Sequence, residues 1–411
     1  MDTVREDPVR KGLLFAGTET AVWMSLDAGD HWQSLQYNLP HTSMRDLWIK
    51  DNDLIVATHG RSFWILDDIS ALRQVDSVKG DAYLFKPGDA YRVRRSTYTD
   101  TPLPIDEPAG ENPPDGAAID YYLPDSSSGP VTLEILDASG KLVRKYASTD
   151  APYATQEQLA KQLIPLYWIK MPQTLPAAAG MHRWIWDLRY ATPTATSYEY
   201  PISAVPHRTP RTPQGPLALP GTYTVRLTAN GNVLTETLIV KMDPRVEATP
   251  GDLTKLFAVE NELASSVNSG AEAALEAHSI REQIGKLAKN NQPPVPAPVK
   301  EQLEKLDKQI ASLLDGVEKS ASVEEVAGLD GLSEETASLY GQVGQSDAAP
   351  TSAQEQAADH TVSELREALP TWERIKTSSI PEVNRALEAA HLPILKLDQQ
   401  PETMPESGDE D

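Results

Sequence analysis

The sequence predicts a multidomain β-plus-α chain: partial β-propeller blades, an immunoglobulin- or fibronectin-like β-sandwich, and a C-terminal antiparallel helical bundle. Three observations predict it. A segment near the N-terminus recurs 41 residues later, short alternating strands broken by Pro and Gly fill the middle, and apolar residues at three- and four-residue spacing run through the last third. At 411 residues the chain is long enough for two to four domains of roughly 100–200 residues each. The expected boundaries are 1–77 for the propeller part, 78–244 for the sandwich with loop insertions, 245–397 for the helices, and 398–411 for a disordered acidic tail.

The repeat comes first. Residues 13–27 read LLFAGTETAVWMSLD and residues 54–68 read LIVATHGRSFWILDD, so that Ala16 falls on Ala57, Trp23 on Trp64 and Asp27 on Asp68. A period in the low forties with several strands per unit is a blade signature. Each copy reads as an apolar strand, a tight polar turn and an aromatic strand, with MRDLWIK (44–50) a further strand between them. Ser25, Asp27, Gly29 and Trp32 match the Asp-box, S-x-D-x-G-x-x-W. The spacing explains every member by turn geometry: Asp27 accepts from turn amides, Gly29 takes positive φ, and Trp32 packs beneath. Asp27 is therefore expected to clasp a hairpin rather than to act as an acid catalyst.

These residues carry a resemblance. Residues 8–75, and ATHGRSFWILDD (57–68) most specifically, resemble the end of the propeller in bacterial sortilin (Vps10)-like proteins with BNR/Asp-box repeats, often named glycosyl hydrolases. The likeness continues through NPPDGAAIDYYL (112–123), MHRWIWDLRY (181–190) and the helical tail, and so covers most of the chain. It implies an extracytoplasmic or secreted protein. Family members carry many blades upstream, whereas about one and a half fit here. Two units cannot close a ring of roughly 4–8 blades, so the expectation is that upstream blades are missing, through truncation or a split gene.

In the middle, AIDYYL (118–123), VTLEIL (131–136), LVRKY (142–146), HRWIWDL (182–188), GTYTVRLTA (221–229) and VLTETLIV (233–240) alternate as strands. Asp137-Ala138-Ser139-Gly140 and Asn230-Gly231-Asn232 are hairpin turns. About seven such strands argue for a sandwich, and the resemblance implies an Ig-like domain here. Two loop-like insertions, 150–180 with a short helix and 191–220 rich in Pro and Thr, are expected side by side. Trp168, Trp184, Trp186, Tyr190 and Tyr198 are candidates for an aromatic binding shelf, but Trp184 and Trp186 share one strand face, which favours the core.

From Arg245 onward there are 14 basic and 31 acidic residues, so most of the chain's net charge of −23 lies in this segment. Leu256, Leu263, Val267, Ala274, Ala277, Ile284 and Leu287 mark one helix; Val299, Leu303, Leu306, Ile310, Leu313 and Val317 mark a second with a heptad-like seam. The Pro-rich stretch 292–298 turns the chain between them. A third helix runs through Val362, Leu365 and Leu369 to Trp372 with a break or kink at Pro370, and a short fourth follows Pro381. Their apolar stripes form the bundle's own core, or a face for a partner.

The acidic balance disfavours nucleic acid and anionic membrane surfaces. The absence of cysteine excludes disulfides, thiolate metal sites and a cysteine nucleophile. No apolar run reaches the roughly 18 residues a membrane span needs, and MDTVREDPVRKG is no signal peptide. There is no H-E-x-x-H, G-x-S-x-G, P-loop or G-x-G-x-x-G, and the eight His are scattered, so no catalytic residue, metal or cofactor is assigned. Asp67 and Asp68, adjacent on a strand, face opposite sides and cannot alone form a glycosidase pair. His59 and Arg61 lie in a rim turn, with Arg61 expected to pair with Asp67 or Asp68. The weak binding candidates are therefore His59, Arg61, Asp67, Asp68, Trp184 and Trp186. The function this supports is non-catalytic recognition or scaffolding with a protein or glycan ligand. The alternatives are a sialidase-like glycoside hydrolase with its catalytic residues upstream, and a helical assembly module.

Overall fold

A computed structural model describes residues 1–95, 106–107, 110–127, 129–289, 294–317 and 326–397. The expected acidic tail, 398–411, and part of the Pro-rich turn at 292–298 lie outside the described residues. The architecture is mixed, with antiparallel sheets first and helices at the C-terminus.

The N-terminal part holds two meanders. Strands β1 (Thr3–Glu6), β2 (Leu14–Gly17), β3 (Val22–Ser25) and β4 (Gln33–Ser34) form one sheet in sequence order; β5 (Met44–Lys50), β6 (Asp53–Thr58) and β7 (Phe63–Leu66) form the next. Strand β5 lies beside β1 and β2. Phe15, Val22 and Met24 of the first sheet share one core with Leu47, Leu54 and Val56 of the second. The copies differ in register by one residue. Ala16 pairs with Trp23, but Ala57 pairs with Phe63 and Val56 with Trp64. Paired residues share a sheet face, so Trp23 is turned outward while Trp64 packs on the core, although the sequence repeat aligns them.

The middle part is two-layered. Strands β8 (Tyr83–Leu84), β10 (Ala117–Leu123) and β13 (Gly180–Trp186) make a three-stranded sheet in the order β13-β10-β8. Strands β9 (Ala90–Arg92), β11 (Thr132–Leu136), β12 (Leu142–Ala147), β14 (Gly221–Ala229) and β15 (Asn232–Met242) make the other, in the order β12-β11-β14-β15-β9, with β9 parallel to β15. Both sheets contribute to a single core containing Ile119, Tyr121, Trp184, Trp186, Leu133, Val225 and Leu238. The insertions do lie together. After the short helix α1 (Gln156–Leu159), capped by Thr155, the backbone of Ile169 bridges Thr209 in parallel, and Arg211 stacks between Tyr153 and Tyr198 at 4.0 and 3.7 Å from the ring centroids.

The helical part is α2 (Pro250–Lys289), α3 (Ala297–Asp315), α4 (Leu329–Val343), α5 (Ser352–Arg374) and α6 (Ile380–Ala389), with strands β16 (Gly316–Val317) and β17 (Val326–Ala327) between α3 and α4. Helix α2 has 40 residues, about 60 Å at 1.5 Å per residue. Two expectations are corrected and one helix is added to those expected. The α3 seam ends on buried Leu314 with Leu313 only partly buried, because straight helix drifts against a strict heptad, and Val317 lies in a strand. Pro370 does not break α5. The helix runs through it to Arg374, continues through a π-helical turn at Ile375–Ser379 and enters α6, held by fully buried Trp372 and by Ile375 and Ile380. Helix α4 was not expected at all.

The β and helical parts are joined by buried polar and apolar contacts. Arg92, 1% exposed, donates to the Ala218 carbonyl (2.9 Å) and to Asp347 (2.5 Å), whose carboxylate also takes Arg94 (2.6 Å). Glu260 of α2 faces Arg94 at 3.5 Å. The Tyr340 hydroxyl donates to the Gln214 carbonyl (2.7 Å), Tyr190 packs on Phe257, and Ala195 joins Leu256, Leu263 and Val267 in one cluster.

Candidate functional site

The Asp-box residues form one closed turn after β3. Ser25 Oγ donates to Asp27 Oδ1 (2.8 Å) and accepts from the Gly29 amide (2.9 Å); Asp27 Oδ1 also accepts from the His31 amide (2.9 Å), and Asp27 Oδ2 meets His31 Nδ1 at 2.6 Å. The Trp32 indole donates to the Gly29 carbonyl (2.9 Å), and Gly29 takes φ +102°. The backbone hydrogen bond from His31, with the side chains of His31 and Ser25, holds the Asp27 carboxyl at about 2. Every oxygen of Asp27 faces the turn itself, as a clasp requires. Since its folded pKa is depressed, the clasp contributes stability above the ordinary carboxylate range and loses it as pH falls toward about 2. Asp27→Ala is expected to lower the melting temperature at pH 7 and to flatten this acid-side dependence. Equal melting temperatures of variant and wild type at pH 7 would contradict it.

The other candidates are scattered. His59 and Arg61 are exposed in the β6–β7 turn, while Asp67 and Asp68 follow the opposite end of β7. The strand between them spans about 13 Å at 3.3 Å per residue, so Arg61 is at the wrong end to lock Asp67 or Asp68. Asp67 and Asp68 also lie just past β7, with Asp68 at φ +49°, rather than on the strand. Trp184 and Trp186 are buried among core residues, at 7% and 0% exposure, and offer no surface to a ligand.

Arg183 takes the role expected of Arg61. It stands opposite Asp120 in the β10–β13 ladder and holds that carboxylate through Nε (2.8 Å) and Nη2 (2.9 Å). The same guanidinium donates to the carbonyls of Asp67 and Asp68, both at 2.6 Å. It thus ties the end of the second meander to the two-layered part. A glycine assists the approach: a Cβ on Gly88 would sit 2.9 Å from both Asn52 Nδ2 and Asp68 Oδ2.

Around this clamp lies a cleft of about 310 Å³. Its acidic lining comes from both parts: Asp51, Asp53, Asp67 and Asp68 from the meander, and Asp89, Asp115 and Asp187 from the two-layered part. Tyr91, half-exposed, and Pro113 and Pro114 supply apolar surface, and Arg95 pairs with Asp115 at 2.7 Å. Burial and then the neighbouring charge of Asp53 push the Asp67 carboxyl above its ordinary range, against the pull of Arg183, Arg95 and Arg208. A carboxylate is chemically able to accept from hydroxyl groups and to pair with ammonium or guanidinium groups. Among the described residues, no three His, Asp or Glu are placed to hold a metal ion. A larger open depression, about 430 Å³, is lined by Ser127, Pro130, Ser148 and Leu175 with no ionisable side chain.

Reading the sequence found Asp67 and Asp68 but missed Arg183, Asp120 and Asp53. The usable signal was one of opposite charges inside otherwise apolar strands, Asp120 in AIDYYL and Arg183 in MHRWIW. Comparison with protein-family models, with curated proteins and with solved structures gave no match to this chain. Among the described residues no helix is long and apolar enough to cross a membrane.

Proposed function

We propose that this chain is the recognition and scaffold portion of a sortilin-like BNR-repeat propeller protein, working outside the cytoplasm and binding a protein or glycan partner without transforming it. The two meanders are then propeller blades and the two-layered part an Ig-like sandwich. One observation carries the recognition role: an acidic cleft built jointly by the second meander and the two-layered part, with Asp53 and Asp67 on one wall and Tyr91 and Pro114 beside them. Carboxylates next to an aromatic ring suit a hydroxyl- or amino-bearing sugar, or a basic side chain. The Asp-box turn and the 41-residue repeat support the blade reading.

Titration calorimetry with neutral oligosaccharides, glucosamine oligomers and a lysine-rich peptide tests it. Saturable binding to one of these is expected, weakened about tenfold or more in Asp67→Asn, with kcal-scale stability unchanged. No binding to any of the three, or equal binding by the variant, would overturn the cleft reading. The alternative, a glycoside hydrolase with further catalytic residues upstream, is favoured by one feature: Asp67, with its raised pKa beside Asp53, has the character of a general acid. Release of reducing ends that Asp67→Asn abolishes would establish that alternative.

A further inference from the structure

The acidic cleft holds more carboxylates than the chain neutralises. Asp51 pairs with Lys50 at 2.9 Å, and Asp89 with Lys241 at 2.5 Å. Asp115 takes both Arg95 and Arg208, at 2.7 and 3.2 Å. The meander wall is different: among the described residues, Asp53, Asp67 and Asp68 form no ion pair. Asp53 accepts from the Asp68 amide and Asp68 from the Ser70 amide, both at 3.0 Å, while the Asp67 carboxylate accepts no hydrogen bond at all. Arg183 lines the same cleft, but its ion pair is with Asp120, and Asp67 and Asp68 offer it only their backbone carbonyls.

The rest of the lining suits a cation on a long aliphatic stem. Tyr91, 51% exposed, and Pro113 and Pro114 give the cleft an aromatic and apolar part. An ammonium or guanidinium is attracted to an aromatic face as well as to carboxylates, and its methylene stem covers apolar surface. The volume of about 310 Å³ lies at the low end of the roughly 300–1,000 Å³ of ligand pockets, room for one long side chain rather than a run of sugar rings. Arg95 and Arg183 already donate to protein oxygens, so a ligand meets chiefly acceptors, which the acceptor oxygens of a neutral sugar cannot use.

We propose that the cleft takes a lysine or arginine side chain of a protein partner, its charge set against Asp53, Asp67 and Asp68 and its stem along Tyr91 and Pro114. The assignment rests on the recognition role proposed above and narrows its ligand from protein or glycan to a basic peptide. The two ends of this chain do not fit the cleft. Asp2 accepts from the Ser43 hydroxyl (2.9 Å) and the Ser43 carbonyl accepts from the His59 amide (2.8 Å), which places the start of the chain beside His59. His59 follows β6 at the end opposite Asp53, about 20 Å away at 3.3 Å per residue. The last residues, PETMPESGDED, hold five acidic residues and no basic one, so the cleft repels them.

Fluorescence anisotropy with a fluorescein-labelled lysine-rich peptide tests it, beside the same peptide with its lysines acetylated and beside glucosamine oligomers as competitors. Saturable binding is expected, weakened about tenfold or more by acetylation and in Asp67→Asn, and weakened further as salt rises. Tyr91→Leu keeps an apolar side chain and is expected to weaken binding about two- to fivefold through the lost aromatic face. Glu367→Gln, an exposed change on α5, removes the same charge elsewhere and is expected to bind as wild type does. Melting temperatures of the variants show that each is folded. Equal binding of the acetylated peptide, or an equal loss in Glu367→Gln and Asp67→Asn, would overturn the proposal. Tighter binding of glucosamine oligomers than of the peptide would also overturn it while leaving the cleft a recognition site, whereas no binding of any probe would remove both.

Discussion

Asp347→Ala is expected to destabilise the protein by about 3–5 kcal/mol, the cost of leaving a buried charge without its partner. Asp347 accepts from Arg92 and Arg94, and Arg92, 1% exposed, has among the described residues the Ala218 carbonyl and the Met242 sulfur as further hydrogen-bond partners. The carboxylate lies beyond α4 and the two arginines lie on and after β9, so this ion cluster fastens helices to sheets. Replacing both partners, Arg92→Met with Asp347→Leu, is expected to recover much of the loss, because two apolar groups avoid the desolvation term. Urea unfolding followed by far-ultraviolet circular dichroism reads both. An Asp347→Ala midpoint equal to wild type would show that the helices are held without this cluster.

The second large effect belongs to Trp186. Its ring is fully buried between the two sheets, lies edge-on to Tyr223 at 5.3 Å, and its indole donates to the Arg189 carbonyl at 3.0 Å. Trp186→Ala is expected to cost about 3–5 kcal/mol through lost transfer energy and the cavity left behind. Trp186→Phe keeps most of the volume and should cost less. The urea midpoint of each variant, with near-ultraviolet circular dichroism to report on the core, checks the order. A smaller loss in the alanine variant than in the phenylalanine one would contradict it.

Much of the strand order was legible because alternation and turn chemistry are local signals. GTYTVRLTA and MRDLWIK are strands with the bounds the sequence suggests, and Thr155 caps α1 through a capping box. Helix α4 escaped notice for a local reason. Its buried Leu329, Leu332, Thr336, Tyr340 and Val343 follow helical spacing, but Gly331 and Gly341 within it lower its propensity, and together with the flanking Gly328 and Gly344 they resemble loop signals. Packing against α2 and α5 overrides that propensity. Pro370 does not end its helix, of the two outcomes expected there: buried Leu365 before it and Trp372, Ile375 and Ile380 after it anchor the segment.

The site was less legible than the fold. Arg183 and Asp120 are 63 positions apart and meet only through the β10–β13 register, and Arg92 meets Asp347 across 255 positions. No spacing rule reaches that far. The repeat aligns Trp23 with Trp64 but does not fix which face each takes, because a one-residue change in hairpin register moves a strand's whole side-chain set to the other face.

The proposed ligand site is the cleft between the second meander and the two-layered part. Amide hydrogen exchange, with and without saturating glucosamine oligomers, measures it most directly. Slowed exchange is expected at Asp51–Asp53, Asp67–Asp68 and Asp115–Ala118, which line the cleft from both sides. Slowed exchange confined to the helices or to the Ser25–Trp32 turn, with these segments unchanged, would contradict it.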